Sequence, residues 1–330
     1  YVDEPSTSYV VDSWYKKSLW LYLLYPFSLL FSYLTTRRRR KYIKNINESY
    51  KADVPIIVVG NLTIGGTGKT PLVKHIAIEL IERGYKPGIV SRGYGGKFKE
   101  TLQVKEDSSV KETGDEAQIL AKLNLPFYLD KNRVRAVKTL IKNHDCDVII
   151  SDDGLQHYSM ARDIEIAVID GKRRFGNNLT FPAGPLRESI KRLKSVDFIV
   201  NNSGPTEEDE FLMSVSPSKF VHLKSGKSYS VDNWPMHKQI HAVAGLGNPG
   251  RFFDLLEKLG FEIIRHPFPD HHNFTSSDMF YLDHLPIVMT EKDASKCKDL
   301  DINKIWYLTI DADVSNKFID KLDNKLKSLN

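Results

Sequence analysis

The sequence predicts an α/β protein: a parallel sheet bearing a P-loop and covered by helices on both faces. A second, smaller α/β domain is joined to it by a linker or β-ribbon, and a membrane-associated helix precedes both. Three observations carry this reading. From residue 54 onward, short apolar runs alternate with stretches of helical period. A glycine-rich loop ending in Lys-Thr follows the first run and opens the first helix of that pattern. Before all of it lies an uncharged apolar stretch followed by Arg37, Arg38, Arg39, Arg40 and Lys41. Composition agrees, since 41% hydrophobic and 27% charged residues over 330 positions supply a sizeable core and exclude wholesale disorder. Cys146 and Cys297 are the only cysteines. They exclude a disulfide framework or Cys-rich zinc site and fit a reducing compartment. The formal charge of +5 is mild for this length and gives no reason to expect a nucleic-acid partner.

Residues 19–34 read LWLYLLYPFSLLFSYL. As a helix, such a run spans about 24 Å, short of the roughly 30 Å hydrocarbon core, and Pro26 interrupts it. The basic block follows the apolar run and no small-residue cleavage site appears, so a secretory signal fits poorly. Trp20 and Tyr22 suit the water–lipid interface, and the Arg cluster suits anionic headgroups at about 1 kcal/mol per cation. The expectation is a helix lying in, or dipping into, the cytoplasmic leaflet. A helix buried against the protein's own core and a full span are the alternatives.

Residues 55–60 (PIIVVG) form a continuous apolar run of the kind found in buried parallel strands. Residues 71–83 carry Leu72, Val73, Ile76, Leu80 and Ile81 at helical period, and Gly84 ends them. Further strand-like runs fall at 88–91, 126–129, 147–151, 164–169 and 197–200, with helical stretches at 116–123 and 134–143 between several of them. Near Ser203 the composition shifts: an acidic run, Glu207 to Glu210, precedes short strand-like runs at 220–223 and 227–231. A second α/β pattern follows, with strands at 240–245, 287–290 and 305–310 and helices at 251–259 and 316–329. The expected divisions are therefore 1–45, 46–205, 206–235 and 236–330.

The loop after the first strand matches the P-loop G-x-x-x-x-G-K-[ST] at Gly68, Lys69 and Thr70, with Thr63 where the first Gly belongs. Gly65 and Gly66 keep it glycine-rich, so the N–H groups from Thr63 through Thr67 to Thr70 can turn inward around phosphate oxygens. The following helix aims its positive end at the same place. Lys69 supplies a point charge to the β and γ oxygens, and the Thr70 hydroxyl can reach Mg²⁺. Some 80 residues later, residues 146–153 (CDVIISDD) give an apolar strand ending in Asp152 and Asp153, which is what a Mg²⁺ site opposite a P-loop needs.

Several blocks together resemble the tetraacyldisaccharide 4′-kinase family, the lipid A 4′-kinases of Gram-negative bacteria. They are VGNLTIGGTGKTP at 59–71, SRGYGG at 91–96, Gly114-Asp115-Glu116, DDGLQH at 152–157 and FPAGPLRE at 181–188. AGLGNPGRFF at 244–253, PDHH at 269–272 and TEKD at 290–293 complete the set. The Thr63 departure belongs to the family pattern. The resemblance implies a P-loop kinase-like fold of two α/β domains with the active site in a cleft. It implies transfer of the ATP γ-phosphate to the 4′-hydroxyl of a tetraacylated glucosamine disaccharide 1-phosphate, yielding lipid IVA for lipopolysaccharide. The place implied is the cytoplasmic face of the bacterial inner membrane, peripheral or monotopic, with anionic inner-membrane lipid as a partner. Carried over by motif, Asp115 is the catalytic carboxylate and His271 its partner. Glu116, Asp152, Asp153 and Gln156 lie around Mg²⁺ and nucleotide, and Arg133, Arg135 and Arg187 serve phosphates or substrate.

The chemistry also stands without the family. A sugar hydroxyl has a very high pKa, so a positioned carboxylate that accepts its proton helps the bond form. Asp115 just before a helix also suits an N-cap, and the loop of Asp270, His271 and His272 also suits a solvated surface. Arg133 and Arg135, two apart at a helix start, are placed so that both can face a cleft. Residues 245–250 read as G-x-G-x-x-G, but the acidic residue expected about twenty positions on is missing: Arg265 and His266 stand there. A GTPase would carry N-K-x-D or T-K-x-D, whereas TEKD places Lys292 one position late.

Overall fold

A computed structural model describes residues 9–16, 18–44, 49–246, 249–269 and 272–329. The chain opens with α1 (Tyr9–Tyr15), a 3₁₀ helix (Leu19–Leu24) and α2 (Tyr25–Lys44). Next come β1 (Ile56–Gly60), α3 (Lys69–Glu82), β2 (Pro87–Ser91), β3 (Leu102–Gln103), α4 (Val110–Thr113), α5 (Asp115–Ala121) and β4 (Phe127–Leu129). They are followed by α6 (Arg133–Asn143), β5 (Val148–Asp152), β6 (Ile164–Asp170), β7 (Phe198–Asn202), β8 (Glu210–His222) and β9 (Ser228–Ser230). The remainder is β10 (Gln239–Ala244), α7 (Gly250–Lys258), β11 (Glu262–Pro267), β12 (Ile287–Thr290), α8 (Glu291–Ser295), β13 (Ile305–Val314) and α9 (Asn316–Lys327).

The chain divides into two compact units, one of residues 10–215 with the chain from 312 on, the other containing 216–311. In the first unit the strands run β8-β7-β6-β1-β5-β2-β4, all parallel, with β3 antiparallel at the β4 edge. Successive β1 residues face opposite sides. Ile57 and Val59 pack with Leu72, Val73 and Ile76 of α3, Leu120 of α5 and Phe318 of α9. Ile56 and Val58 pack with Ala136, Val137 and Leu140 of α6. Burial on both faces explains why β1 reads as an unbroken apolar run. In the second unit β11-β10-β12-β13 are parallel and β9 pairs antiparallel with β8.

Two features depart from the divisions read in the sequence. The last helix, placed with residues 236–330, packs in the first unit instead. Its Phe318 ring meets Phe198 at 5.5 Å, and Tyr85 donates to Asp323 at 2.8 Å. In the 206–235 segment, read as a linker or β-ribbon, the first strand begins within the acidic run, ten residues before the strand-like run at 220–223. Glu207 and Glu210 both pair with Arg174, and β8 begins at Glu210 beside β7.

Pro26 does not break α2. It is the second residue of that helix, where the missing N–H costs nothing and a 3₁₀ turn hands over to the α-helix. The helical segment Leu19–Lys44 is long and apolar enough to cross a membrane, and only 11% of its apolar window is buried. It is nevertheless anchored. Ser28 donates to the Thr180 carbonyl at 2.7 Å and accepts from Ala183 N at 2.9 Å, while Thr180 donates back to the Ser28 carbonyl. The Trp14 indole donates to the Pro182 carbonyl, and Phe31 meets Phe181 edge-on at 5.7 Å. Tyr22, Leu23, Phe27, Leu30 and Leu34 take no part in this anchorage and are exposed. Trp20 is tied to Ser13 through its indole N–H.

Candidate active site

The first half of the loop from Asn61 to Thr70 is shaped by one of its own side chains. Asn61 is fully buried and its amide donates to the carbonyls of Thr63 at 2.8 Å and Gly65 at 3.2 Å. Its oxygen accepts from Lys69 Nζ at 3.2 Å. The same residue therefore curls the loop and aims its lysine. Gly68, with φ +89°, turns the chain into α3, and a Cβ there would meet Asn202 Nδ2 at 2.5 Å. Asn202 donates to the Thr67 carbonyl and Arg173 to that of Gly66. Carbonyls are thus drawn outward onto side chains while Lys69 and Thr70 begin α3. The buried Thr67 Oγ has no hydrogen-bond partner among the described residues, as suits a group awaiting a phosphate.

Parallel pairing sets Asp152, the last residue of β5, beside Val59 of β1, which brings the carboxylates to the loop. Asp153 lies 3.5 Å from Lys69 Nζ and accepts from Arg187 at 3.1 Å. These cations outweigh its burial and hold its carboxyl below the usual range. Asp152 is pushed up to about 7 by burial, with the Asp153 and Glu116 carboxylates adding to it against Lys69 and Arg133. Its Oδ1 is buried and has no partner among the described residues. A dehydrated carboxylate oxygen at a strand end fits a hard divalent cation. Among the described residues no cluster of three or more acids, His or Cys could hold a metal alone. That fits an ion which takes one or two carboxylates and completes its shell with water and phosphate.

The predicted site residues divide into those that line a cleft and those that support it. Glu116, Asp152, Asp153, Gln156 and Arg187 line a cleft of about 380 Å³. Gln156 also donates to the Asn61 carbonyl at 3.2 Å. Arg133 and Arg135, expected to face a cleft together, are not in its lining. Arg133 is buried and donates to the carbonyls of Asp130 and Asp152, at 3.0 and 2.9 Å, and burial lowers its pKa to about 10. Arg135 grips Asp130 through two nitrogens. Residues two apart on a helix point about 200° apart, so one went inward and the other out.

Asp115 is not an N-cap. Gly114 holds that position with φ +85°, and Asp115 is the first residue of α5, buried, with its Oδ1 accepting from Glu116 N at 3.0 Å. Gly114 and Gly96 are there for contact: a Cβ on either would come within 2.3 Å of backbone oxygen across the two loops. The SRGYGG loop is thereby pressed against the start of α5. His271 and Asp270 lie outside the described residues, so Asp115 is placed and its expected partner is not.

The cleft has a wall that the local motifs do not reveal. Phe31, Thr35 and Arg38 of α2 line it, together with Ser91, Arg92 and Tyr94. Asn61 and Arg38 are the residues that sequence reading missed. Asn61 stood inside the motif as an unassigned position, and Arg38 was counted only with the basic cluster. His157 of the DDGLQH block accepts from Arg133 N at 3.3 Å, and burial with the surrounding arginines lowers its pKa to about 4.

In the second unit, Asp293 of TEKD is fully buried and accepts from Gly245 N at 3.0 Å, from Thr290 and from Lys296. It fixes the turn after β10 instead of reading a base. Its carboxylate also occupies the first N–H that a dinucleotide pyrophosphate would need.

A family model described as tetraacyldisaccharide-1-P 4′-kinase matches residues 20–327. The chain belongs to this family. A tetraacyldisaccharide 4′-kinase from Ruthia magnifica subsp. Calyptogena magnifica is 47% identical over 307 residues, covering 92% of this chain and 97% of the relative. One from Methylobacillus flagellatus is 43% identical, covering 96% and 95%. The crystal structure of the Aquifex aeolicus family member LpxK, an "apo" form in complex with ATP, superposes with a TM-score of 0.81 at 27% identity, covering 93% of this chain and all of that one. The family resemblance read from the motif blocks is thus shown, and the α/β fold with it.

Proposed function

We propose that the protein transfers the γ-phosphate of ATP to the 4′-hydroxyl of a tetraacylated glucosamine disaccharide 1-phosphate, forming lipid IVA for lipopolysaccharide. The observation that carries this is the union of two chemistries at one cleft: paired aspartates in its lining, Asp153 lying 3.5 Å from the P-loop lysine, and a wall built from a helix that also exposes large apolar residues. A soluble acceptor gives no reason for the second. The exposed apolar residues of α2 and its Arg cluster support a station on anionic lipid at the cytoplasmic face of the inner membrane.

Lys69, oriented by Asn61 and Asp153, places a positive charge on the transferring phosphoryl group, where it is most needed as charge redistributes. Arg187, paired with Asp153 in the cleft lining, is the second cation available to phosphate oxygens. Asp115 is assigned to accept the proton of the sugar hydroxyl as the new O–P bond forms. Mg²⁺, when bound, would be held by Asp152 with the Thr70 hydroxyl, near Glu116 and Gln156, and supplies neutralisation of the β and γ oxygens. Arg133 holds the Asp152 backbone in place from behind. The test is incubation with ATP, Mg²⁺ and a tetraacyl disaccharide 1-phosphate, followed by mass analysis. One added phosphate on the lipid supports the proposal, and unchanged lipid with or without ADP release overturns it.

A further inference from the structure

A second groove of about 380 Å³ adjoins the transfer cleft and shares Thr35 and Glu188 with it. Arg39 and Arg40 of α2 and Lys191 of the 3₁₀ helix Ile190–Ser195 line it, together with the hydroxyls of Ser32, Thr36 and Ser189. Its single carboxylate, Glu188, is partly met: Oε1 has a donor, and the buried Oε2 has no hydrogen-bond partner among the described residues. Tyr158 donates to Oε1 and Arg192 lies 3.6 Å from Oε2, while burial pushes the Glu188 carboxyl above the usual range. Arg192 is itself claimed by Glu165. Among the described residues, no carboxylate comes within ion-pair distance of Arg39, Arg40 or Lys191. Arg39 is held in place by Ser195 Oγ at 2.8 Å. Two guanidinium forks, one ammonium and three hydroxyls around one hollow are the donor set that takes a phosphate ester.

The neighbourhood says how that phosphate arrives. Phe27, Leu30 and Leu34, on the same stretch of α2, are 61%, 56% and 52% exposed. Thr35 and Glu188 belong to both the groove and the transfer cleft, so an occupant sits beside the acceptor. We infer that this groove is a second phosphate site, separate from the P-loop, that holds a lipid-borne phosphate while the transfer cleft works. This rests on the lipid-kinase reading above. Two lipids carry the chemistry: an anionic phospholipid of the bilayer, and the substrate itself through its reducing-end phosphate.

Lys191 and Lys194 make the test. Both are exposed cations on the same 3₁₀ helix, and Lys191 alone lines the groove. The full chain is compared as wild type, Lys191→Gln and Lys194→Gln. Co-sedimentation uses phosphatidylcholine vesicles with and without phosphatidylglycerol, and kinase kinetics use substrate in neutral detergent. If bilayer lipid fills the groove, Lys191→Gln weakens binding to the anionic vesicles about five-fold, and Lys194→Gln less than about two-fold. If the substrate's own phosphate fills it, Lys191→Gln raises the lipid KM about five-fold with kcat and the ATP KM unchanged, and Lys194→Gln does not. Equal behaviour of the two variants in both assays overturns the site and leaves only diffuse surface charge. Failure of the kinase reading shows separately, as absent phosphoryl transfer by the wild-type chain.

Discussion

Replacing Asn61 by Ala removes the side chain that shapes the first half of the phosphate loop without touching a group assigned to ATP or metal. The structure sets the size of the effect. The Thr63 carbonyl loses its 2.8 Å donor in a buried place, whereas the Gly65 carbonyl, in an exposed residue, can turn to water. An unmet buried acceptor costs roughly 1–3 kcal/mol and a solvent-compensated bond about 0.5 kcal/mol. Lys69 also loses its 3.2 Å partner and is left to Asp153 alone. About 2 kcal/mol of lost loop order corresponds to about a 30-fold fall in kcat/KM for ATP, with the lipid KM little changed. Asn61→Asp loses both donors and sets a carboxylate against the two carbonyls, so it is worse than Ala. Steady-state kinetics with varied ATP decide the matter. A folded Asn61→Ala chain within about three-fold of wild type would refute the role given to this residue.

Three further outcomes follow from the same geometry. Asp152→Asn abolishes Mg²⁺-dependent turnover yet stabilises the metal-free fold above neutral pH. Because the folded carboxyl lies near 7 and the unfolded one at 3.8, wild-type stability relative to this variant falls as pH rises between those values. A difference independent of pH in chemical denaturation would contradict the assignment. Asp115→Ala lowers kcat by about 10²–10⁴-fold with little change in the ATP KM, and His271→Ala lowers it less. The double variant matches Asp115→Ala if they act as a unit, and multiplicative losses would show that they do not. Ser28→Ala leaves the Thr180 carbonyl and Ala183 N–H unmet at the α2 anchorage and destabilises the first unit by about 2 kcal/mol. An unchanged denaturation midpoint would show that the helix is not anchored there.

What the sequence disclosed was whatever local residue order determines. The apolar run of β1, the loop ending in Gly68-Lys69-Thr70 and the strand ending in Asp152 each carry their structural reason within a dozen residues, and parallel pairing then had to bring them together. What it hid depended on distant partners. Arg133 and Arg135 look alike in the sequence, and only Asp130 and the Asp152 carbonyl decide which is buried. Glu210 looks like part of an acidic linker until Arg174 and Asn201 meet it. β11 escaped notice because Arg265 and His266 break its alternation, and its pairing with β10 supplies what the pattern does not. Pro26 read as a break because position within a helix, not presence, decides a proline's effect.

The most direct measurement is a fragmentation mass spectrum of the lipid after reaction with γ-¹⁸O-labelled ATP, for the wild-type chain and for Lys69→Ala. The account predicts one labelled phosphate on the non-reducing sugar with wild type and almost none with Lys69→Ala, both chains being folded. Label appearing only in inorganic phosphate, or transfer that persists without the Lys69 ammonium, would contradict it.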